Sequence, residues 1–146
     1  MVNTYSIQQA STITQVSKHT LRYYEREGLL TIARTASGHR RYTDDDLGWV
    51  RFIMLLKRTN MPLPEIARFV RLEKDGHDTI NKRRTMLEEH RIALTAHIAQ
   101  LHTYMDALDT KIDYYSDVNN ELLDCVQDKV IESNTSTNGK RNEEAV

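Results

Sequence analysis

From Leu87 to Tyr115 apolar residues recur at alternating spacings of four and three. They are Leu87, Leu94, Ile98, Leu101, Met105, Leu108, Ile112 and Tyr115, with Arg91 filling the one gap. This is a heptad seam with Leu87, Leu94, Leu101, Leu108 and Tyr115 at d. If residues 79–115 form one helix, it is roughly 55 Å long at about 1.5 Å per residue. A domain of this size cannot bury so long a stripe. A partner helix must cover it, most simply one from a second copy. After Tyr115 comes a shorter amphipathic piece with Val118, Leu122, Leu123, Val126 and Val130. Residues 133–146 are mostly small, polar or charged and are expected to be disordered.

The first seventy or so residues carry a different pattern, of short segments bounded by caps. Ser6-Ile7-Gln8-Gln9 fits a capping box, so a helix should run from Ile7 to about Ile13. After a turn at Thr14 and Gln15, Ser17 caps a second helix from Lys18 to about Glu27, and Gly28 suits its C′ position. Two short helices joined by a tight turn read as helix-turn-helix, with Val16 and Leu21 among its buried contacts. The β-leaning pieces Thr31-Ile32 and Arg40–Tyr42, with Ser37-Gly38 between them, read as a hairpin or wing. Thr43 caps a third helix whose first turn, Asp44, Asp45 and Asp46, suits the positive end of the helix dipole. Leu47, Val50, Ile53, Met54 and Leu56 form its apolar face. A fourth helix, about Pro64 to Leu72, turns Ile66, Phe69 and Val70 inward; proline is tolerated in its first turn.

Charge changes this picture more than composition does. The net charge is −1, which alone argues against a polyanionic partner. Residues 1–73, however, hold eleven Lys/Arg and seven Asp/Glu, whereas residues 74–146 hold the other nine and fourteen. Only the front half is suited to phosphate. The chain lacks an apolar run long enough to span a membrane and lacks a signal-peptide pattern, so a cytoplasmic location is expected. The single cysteine, Cys125, excludes an intramolecular disulfide framework. No phosphate loop, nucleophile motif or metal-ligand motif is present, so neither an enzyme nor a cofactor is expected.

Lys18, Arg22 and Arg26 are four apart and share one helix face, with His19 and Tyr23 on the adjoining face. In a helix-turn-helix these positions meet phosphates and base edges, and Arg22 is the best placed base or phosphate reader. Of Tyr23 and Tyr24, one should pack and at least one hydroxyl should meet a phosphate. Arg34, His39, Arg40, Arg41 and Tyr42 make a basic aromatic cluster on the wing, with Arg41 or Tyr42 as the alternative tie between wing and domain. Trp49, Phe52 and Phe69 read as core. His90 and His97, at g, and His102, at e, read as surface histidines flanking the seam rather than a metal site. Cys125 reads as a small apolar residue three after Leu122, against the alternative of a redox or electrophile sensor.

Tyr5-Ser6-Ile7, Thr20-Leu21-Arg22-Tyr23-Tyr24-Glu25-Arg26, Gly28-Leu29-Leu30, Ser37-Gly38-His39-Arg40-Arg41-Tyr42, Asp46-Leu47 and Pro64-Glu65-Ile66 together resemble the MerR family of bacterial transcription regulators, over about residues 4–115. The resemblance implies a mainly α fold: a winged helix-turn-helix DNA-binding domain followed by a long helix that dimerises as an antiparallel coiled coil. On this basis residues 1–75 are the DNA-binding domain, 76–117 the dimerisation helix, 118–132 a short helical segment and 133–146 a tail. The DNA-contact set is Ser17, Lys18, His19, Arg22, Tyr23, Tyr24, Arg34, His39, Arg40, Arg41 and Tyr42.

The resemblance also implies partners and a mechanism. The partners are promoter DNA, a second copy, RNA polymerase and a small-molecule or stress inducer. In the mechanism, a promoter with an overlong spacer is bent and untwisted. The alternatives are an architectural DNA-binding protein or simple repressor without an inducer, and a coiled-coil module that has lost DNA binding. Intact Arg22, Tyr23 and Arg40 oppose the last. Gln15 stands where the family usually has glycine, so a left-handed residue there would be slightly strained. Thr31-Ile32 replaces a common proline-containing stretch. The family's metal sensors use two or more cysteines, and its aldehyde-responsive branch places one where this chain has Leu55, so neither cysteine mechanism carries over cleanly. The roughly thirty residues after the seam are too few for a separate ligand domain.

Overall fold

The structure is a computed structural model that describes residues 1–138, with side chains to Ile131. Its elements in chain order are β1 (Thr4–Tyr5), α1 (Ile7–Thr14), α2 (Lys18–Arg26), β2 (Ala33–Arg34), β3 (Arg40–Thr43), α3 (Asp44–Arg58), α4 (Leu63–Asp75), a 3₁₀ turn (His77–Thr79) and α5 (Ile80–Asn138). The chain divides into two compact units, Met1–Thr95 and the residues from Ala96 onward.

Local chemistry sets the boundaries of the first unit. Ser6 and Gln9 close a reciprocal capping box on α1, and Thr43 and Asp46 do the same on α3. Each box satisfies two N–H groups that the first helical turn leaves without a partner. The ends of α2 and α3 are Schellman caps. At α2, Gly28 is left-handed (φ 73°), with Leu29 N donating to Tyr24 O (2.9 Å) and Gly28 N to Glu25 O (3.1 Å). At α3, Asn60 takes the same place (φ 65°), with Met61 N donating to Leu56 O (3.0 Å). Gln15 is indeed left-handed (φ 57°, ψ 31°) in the turn between α1 and α2. That conformation costs a non-glycine residue about 1 kcal/mol, offset by the packing of Ala10, Val16 and Leu21 on either side.

The sheet has three strands in the order β1-β3-β2. β1, which the apolar pattern does not reveal, pairs antiparallel with β3, Thr4 opposite Thr43 and Tyr5 opposite Tyr42. β2 lies two residues later than the Thr31-Ile32 piece. The turn decides this: Thr35 N donates to His39 O (2.8 Å) and Gly38 N to Thr35 O (2.9 Å), so the ladder closes on Arg34 opposite Arg40 and Ala33 opposite Arg41. Ile32 instead enters the core. That core runs through Leu21, Tyr24, Tyr42, Val50, Ile53 and Ile66, all essentially without solvent access. Trp49, Phe52 and Phe69 form an aromatic cluster with centroids 5.4–6.3 Å apart. The first turns of α5 belong to this unit: Met86 is buried, and Leu87 packs on the core.

α5 is one unbroken helix, so residues 118–132 continue it rather than forming a separate segment. Of the tail expected at 133–146, residues 133–138 are the helix's last turns and 139–146 lie outside the described residues. The seam side chains of the second unit lie bare on the single chain, from Ile98 at 46% exposed to Leu108 at 65%.

Candidate nucleic-acid interface

α2 is held at its first turn by the Ser17 hydroxyl, which accepts from Thr20 N (3.1 Å) and donates to Thr20 Oγ1 (2.9 Å). The helix is amphipathic. Leu21 and Tyr24 are buried, while Lys18, His19, Arg22 and Arg26 are exposed. Tyr23 lies between these faces, half-buried. Its ring centroid is 6.0 Å from the Arg26 guanidinium carbon and 6.0 Å from Lys57 Nζ of α3. Two cations on one ring hold the ring in place and bring α3 to the edge of the basic surface. Between α2 and α3 a cleft of about 410 Å³ opens, lined by His19, Thr20, Tyr23, Tyr24, Met54 and Lys57.

The wing is joined to α2 through one residue. Glu25 is the only acid in α2. Its Oε1 accepts from Arg34 Nη2 (3.1 Å), and its Oε2 accepts from Arg40 Nε. Arg34 also donates through Nη1 to Gly38 O at the hairpin tip (3.0 Å). The tip is ordered further by His39, whose Nδ1 lies 2.9 Å from Ser37 Oγ and whose backbone N donates to Thr35 Oγ1 (3.1 Å). One carboxylate therefore bridges both strands of the wing to the helix. Arg34 and Arg40 each commit part of their donors inward, while Arg41 stays exposed.

Two expected DNA-contact residues do not reach the surface. Tyr24 is buried, and its hydroxyl donates to Met54 Sδ (3.1 Å). Burial pushes its pKa above the ordinary tyrosine value. Tyr42 is completely buried, and its hydroxyl has no hydrogen-bond partner among the described residues. Burial first, and then the negative field of Glu25, raise its pKa. Both are core residues because their apolar rings fill the space under β1 and α3 and gain more there than one phosphate contact offers. Tyr42, not Arg41, fastens the wing to the domain. The third phenol, Tyr5, donates to Asp44 Oδ1 (2.9 Å), which raises its pKa.

Ser17, Lys18, His19, Arg22 and Tyr23 lie together on α2, and His39 and Arg41 lie on the wing. Glu25 and Lys57 are the residues that the pattern did not single out as a site. A lone acid inside a basic helix was the available signal for Glu25. No signal marked Lys57, because only the packing of α3 brings it to Tyr23.

Within the seam, Leu94 is half-buried, and Ile98, Leu101, Met105, Leu108, Ile112 and Tyr115 are exposed. Leu87 departs from the expected set, since it packs on the core of its own chain. His90 departs too. Its Nε2 lies 2.7 Å from Thr59 Oγ1, the C-cap of α3. Thr59 Oγ1 also lies 3.0 Å from the carbonyl oxygens of Leu55 and Leu56. Cys125 is exposed. Among the described residues, no group of three or more His, Cys, Asp or Glu side chains is placed to hold a metal ion, and no helix is long and apolar enough to cross a membrane.

Known proteins share this arrangement. The description "MerR HTH family regulatory protein" matches residues 5–73, and "MerR, DNA binding" matches residues 47–111. An uncharacterised HTH-type transcriptional regulator of Haemophilus influenzae is 38% identical over 113 residues, covering 77% of this chain and 84% of that protein. The crystal structure of HiNmlR, a MerR family regulator lacking the sensor domain and bound to promoter DNA, superposes with a TM-score of 0.71 at 37% identity. It covers 78% of this chain and 87% of that one. A Listeria monocytogenes protein assigned to the MerR family of transcriptional regulators superposes with a TM-score of 0.79 at 32% identity, covering 88% and 98%.

Proposed function

The chain belongs to the MerR family of helix-turn-helix regulatory proteins, and from that membership we propose how its surface is used. It is a DNA-binding transcriptional regulator and not an enzyme. It works as a homodimer on a pseudo-palindromic promoter site, in the cytoplasm. α2 enters the major groove with Lys18, His19, Arg22 and Tyr23 forward, and Ser17 at its N-terminus meets phosphate. Arg41 and His39 meet the flanking backbone. Arg34 and Arg40 reach it only with the donors that Glu25 leaves free. The observation that carries this reading is the Glu25 bridge, because it makes the helix and the wing one rigid reading surface rather than two independent ones.

Two such surfaces joined by an antiparallel coiled coil stand at a fixed distance. A promoter whose half-sites do not match that distance is forced to bend and untwist, at a cost on the order of 1–6 kcal/mol. RNA polymerase then reads the distorted spacer. An inducer, a small molecule or a stress signal, acts by favouring one arrangement of the two heads, and its leverage is its differential affinity for the two arrangements. The test is a promoter shortened by about two base pairs, which removes the need for untwisting. Transcription from it is expected to be high without the protein, or only repressed by it. Continued dependence on the protein for activation would replace this reading with an architectural or simple-repressor one.

A further inference from the structure

A cleft of about 710 Å³ opens where the chain leaving α2, the first turns of α3 and the last turns of α4 meet. That volume suits a small organic molecule. Its lining includes no residue of α2, β2 or β3, so it is separate from the DNA-contact set. Leu30 and Val70, both buried, give it an apolar floor. Trp49, half-buried, gives it an aromatic wall. Neighbours hold that wall in place. The indole N–H donates to Leu29 O (3.1 Å), and the ring stacks on Phe69 with centroids 6.3 Å apart. Lys74 Nζ donates to Gly28 O (3.2 Å), which joins the end of α4 to the cap of α2.

The rest of the lining is acidic. Asp45 and Asp46 begin α3, where the helix dipole favours them. Asp46 Oδ2 is also occupied, accepting from Thr43 N (2.8 Å) and Thr43 Oγ1 (2.9 Å). Glu73 has no such local reason. It stands in the last turn of α4, where the dipole disfavours an acid. The ion pairs among the described residues engage Glu25, Glu65 and Glu88 and leave the carboxylates of Asp45 and Glu73 unpaired. Three carboxylates and one ammonium line the cleft, a surplus of two negative charges.

We propose that this cleft binds a small organic cation with a flat apolar body. The body lies against Trp49, over Leu30 and Val70. The cation sits among Asp45, Glu73 and the second oxygen of Asp46, where carboxylates and the indole quadrupole attract it together. A neutral or anionic molecule of the same shape gains only the apolar part. The cleft touches both the connection from α2 to the wing and the end of α4, so its occupant bears on both. As the entry point of an inducer it rests on the reading proposed above; as a binding site it stands without it.

Trp49 is the only tryptophan, so its fluorescence reports the site directly. With the full chain, N-methylquinolinium is expected to quench it saturably. Quinoline at a pH where it is neutral, and naphthoate, are expected to bind about tenfold more weakly or not at all. Asp45→Asn with Glu73→Gln is expected to weaken the quinolinium about tenfold. Its melting temperature should be unchanged, because an acid lost from a helix start offsets one lost from a helix end. Saturating operator DNA should leave the quenching in place. Quenching that never saturates, equal binding of quinoline, an unchanged affinity in the double variant, or loss of quenching on operator binding overturns the site. None of these results bears on the shortened promoter, which tests the distortion of DNA separately.

Discussion

The head and the seam stripe of α5 use similar apolar residues in opposite ways. Leu21, Val50, Ile53 and Ile66 of the head are completely shielded by their own chain. Ile98, Leu101, Met105, Leu108 and Ile112 sit on α5 and are about half exposed. Apolar burial contributes roughly 25 cal/mol per Å², and within one chain only the head collects it. The head therefore has the core of a self-contained domain. The stripe is half of an interface, and its stabilisation depends on protein concentration through the partner.

The largest test of this contrast is Leu101→Asp with Leu108→Asp. It places charges in the seam, where burying an unpaired carboxylate is strongly unfavourable. Sedimentation should show monomers, and operator binding should be lost, while the head's circular dichroism and melting remain. A double variant that still dimerises would refute the seam. Ile53→Ala should do the reverse. A large-to-small change at a fully buried site costs about 2–5 kcal/mol, so urea unfolding of the head should shift by that amount while dimer affinity at low temperature is unchanged.

A smaller pair of variants separates the groove helix from its clamp. Arg22→Ala should weaken operator binding by about 1–3 kcal/mol if it reads a base, and relax preference at that position. Glu25→Gln should lower operator affinity yet raise affinity for random DNA, because Arg34 and Arg40 are released from their carboxylate. The plot of log K against log salt should then steepen, as expected when more phosphates are neutralised. An unchanged ratio of specific to random binding in Glu25→Gln would show that the wing needs no clamp.

Tyr42→Phe gives the smallest effect. The Tyr42 hydroxyl is buried without a partner among the described residues, so removing it should leave stability unchanged or slightly higher. A loss beyond about 1 kcal/mol would mean that the hydroxyl is bonded after all. The raised pKa values of Tyr24 and Tyr42 give a related pH dependence. Above the ordinary tyrosine pKa the unfolded chain binds fewer protons than the folded one, so head stability should be full below about pH 10 and fall as pH rises through the folded values.

Features governed by neighbours in sequence are legible from the chain itself. Ser6 with Gln9, Ser17 with Thr20, Thr43 with Asp46 and Gly28 after α2 fix helix ends through bonds spanning three to five residues, and the helical period marks the inward face of α3. The seam is legible because a periodic stripe is a local pattern repeated. Choices among partners distant in the chain are not legible in this way. β1 exists because Tyr5 finds Tyr42. Tyr24 is inward and Tyr23 outward because Met54 and Lys57 of α3 meet them on different sides. Leu87 keeps its place in the heptad, yet the core of its own head claims it, and His90 is held by Thr59, thirty-one residues earlier. Glu25 could have remained solvated, and only closure of the hairpin onto α2 gives it two arginines. The sequence by itself determined the short helices of the head, most of their caps and the need for a second chain, because these follow from spacing alone, whereas the full length of α5 did not. The tertiary structure decided which basic and aromatic side chains face outward, because that depends on which of several similar side chains wins a place in one small core.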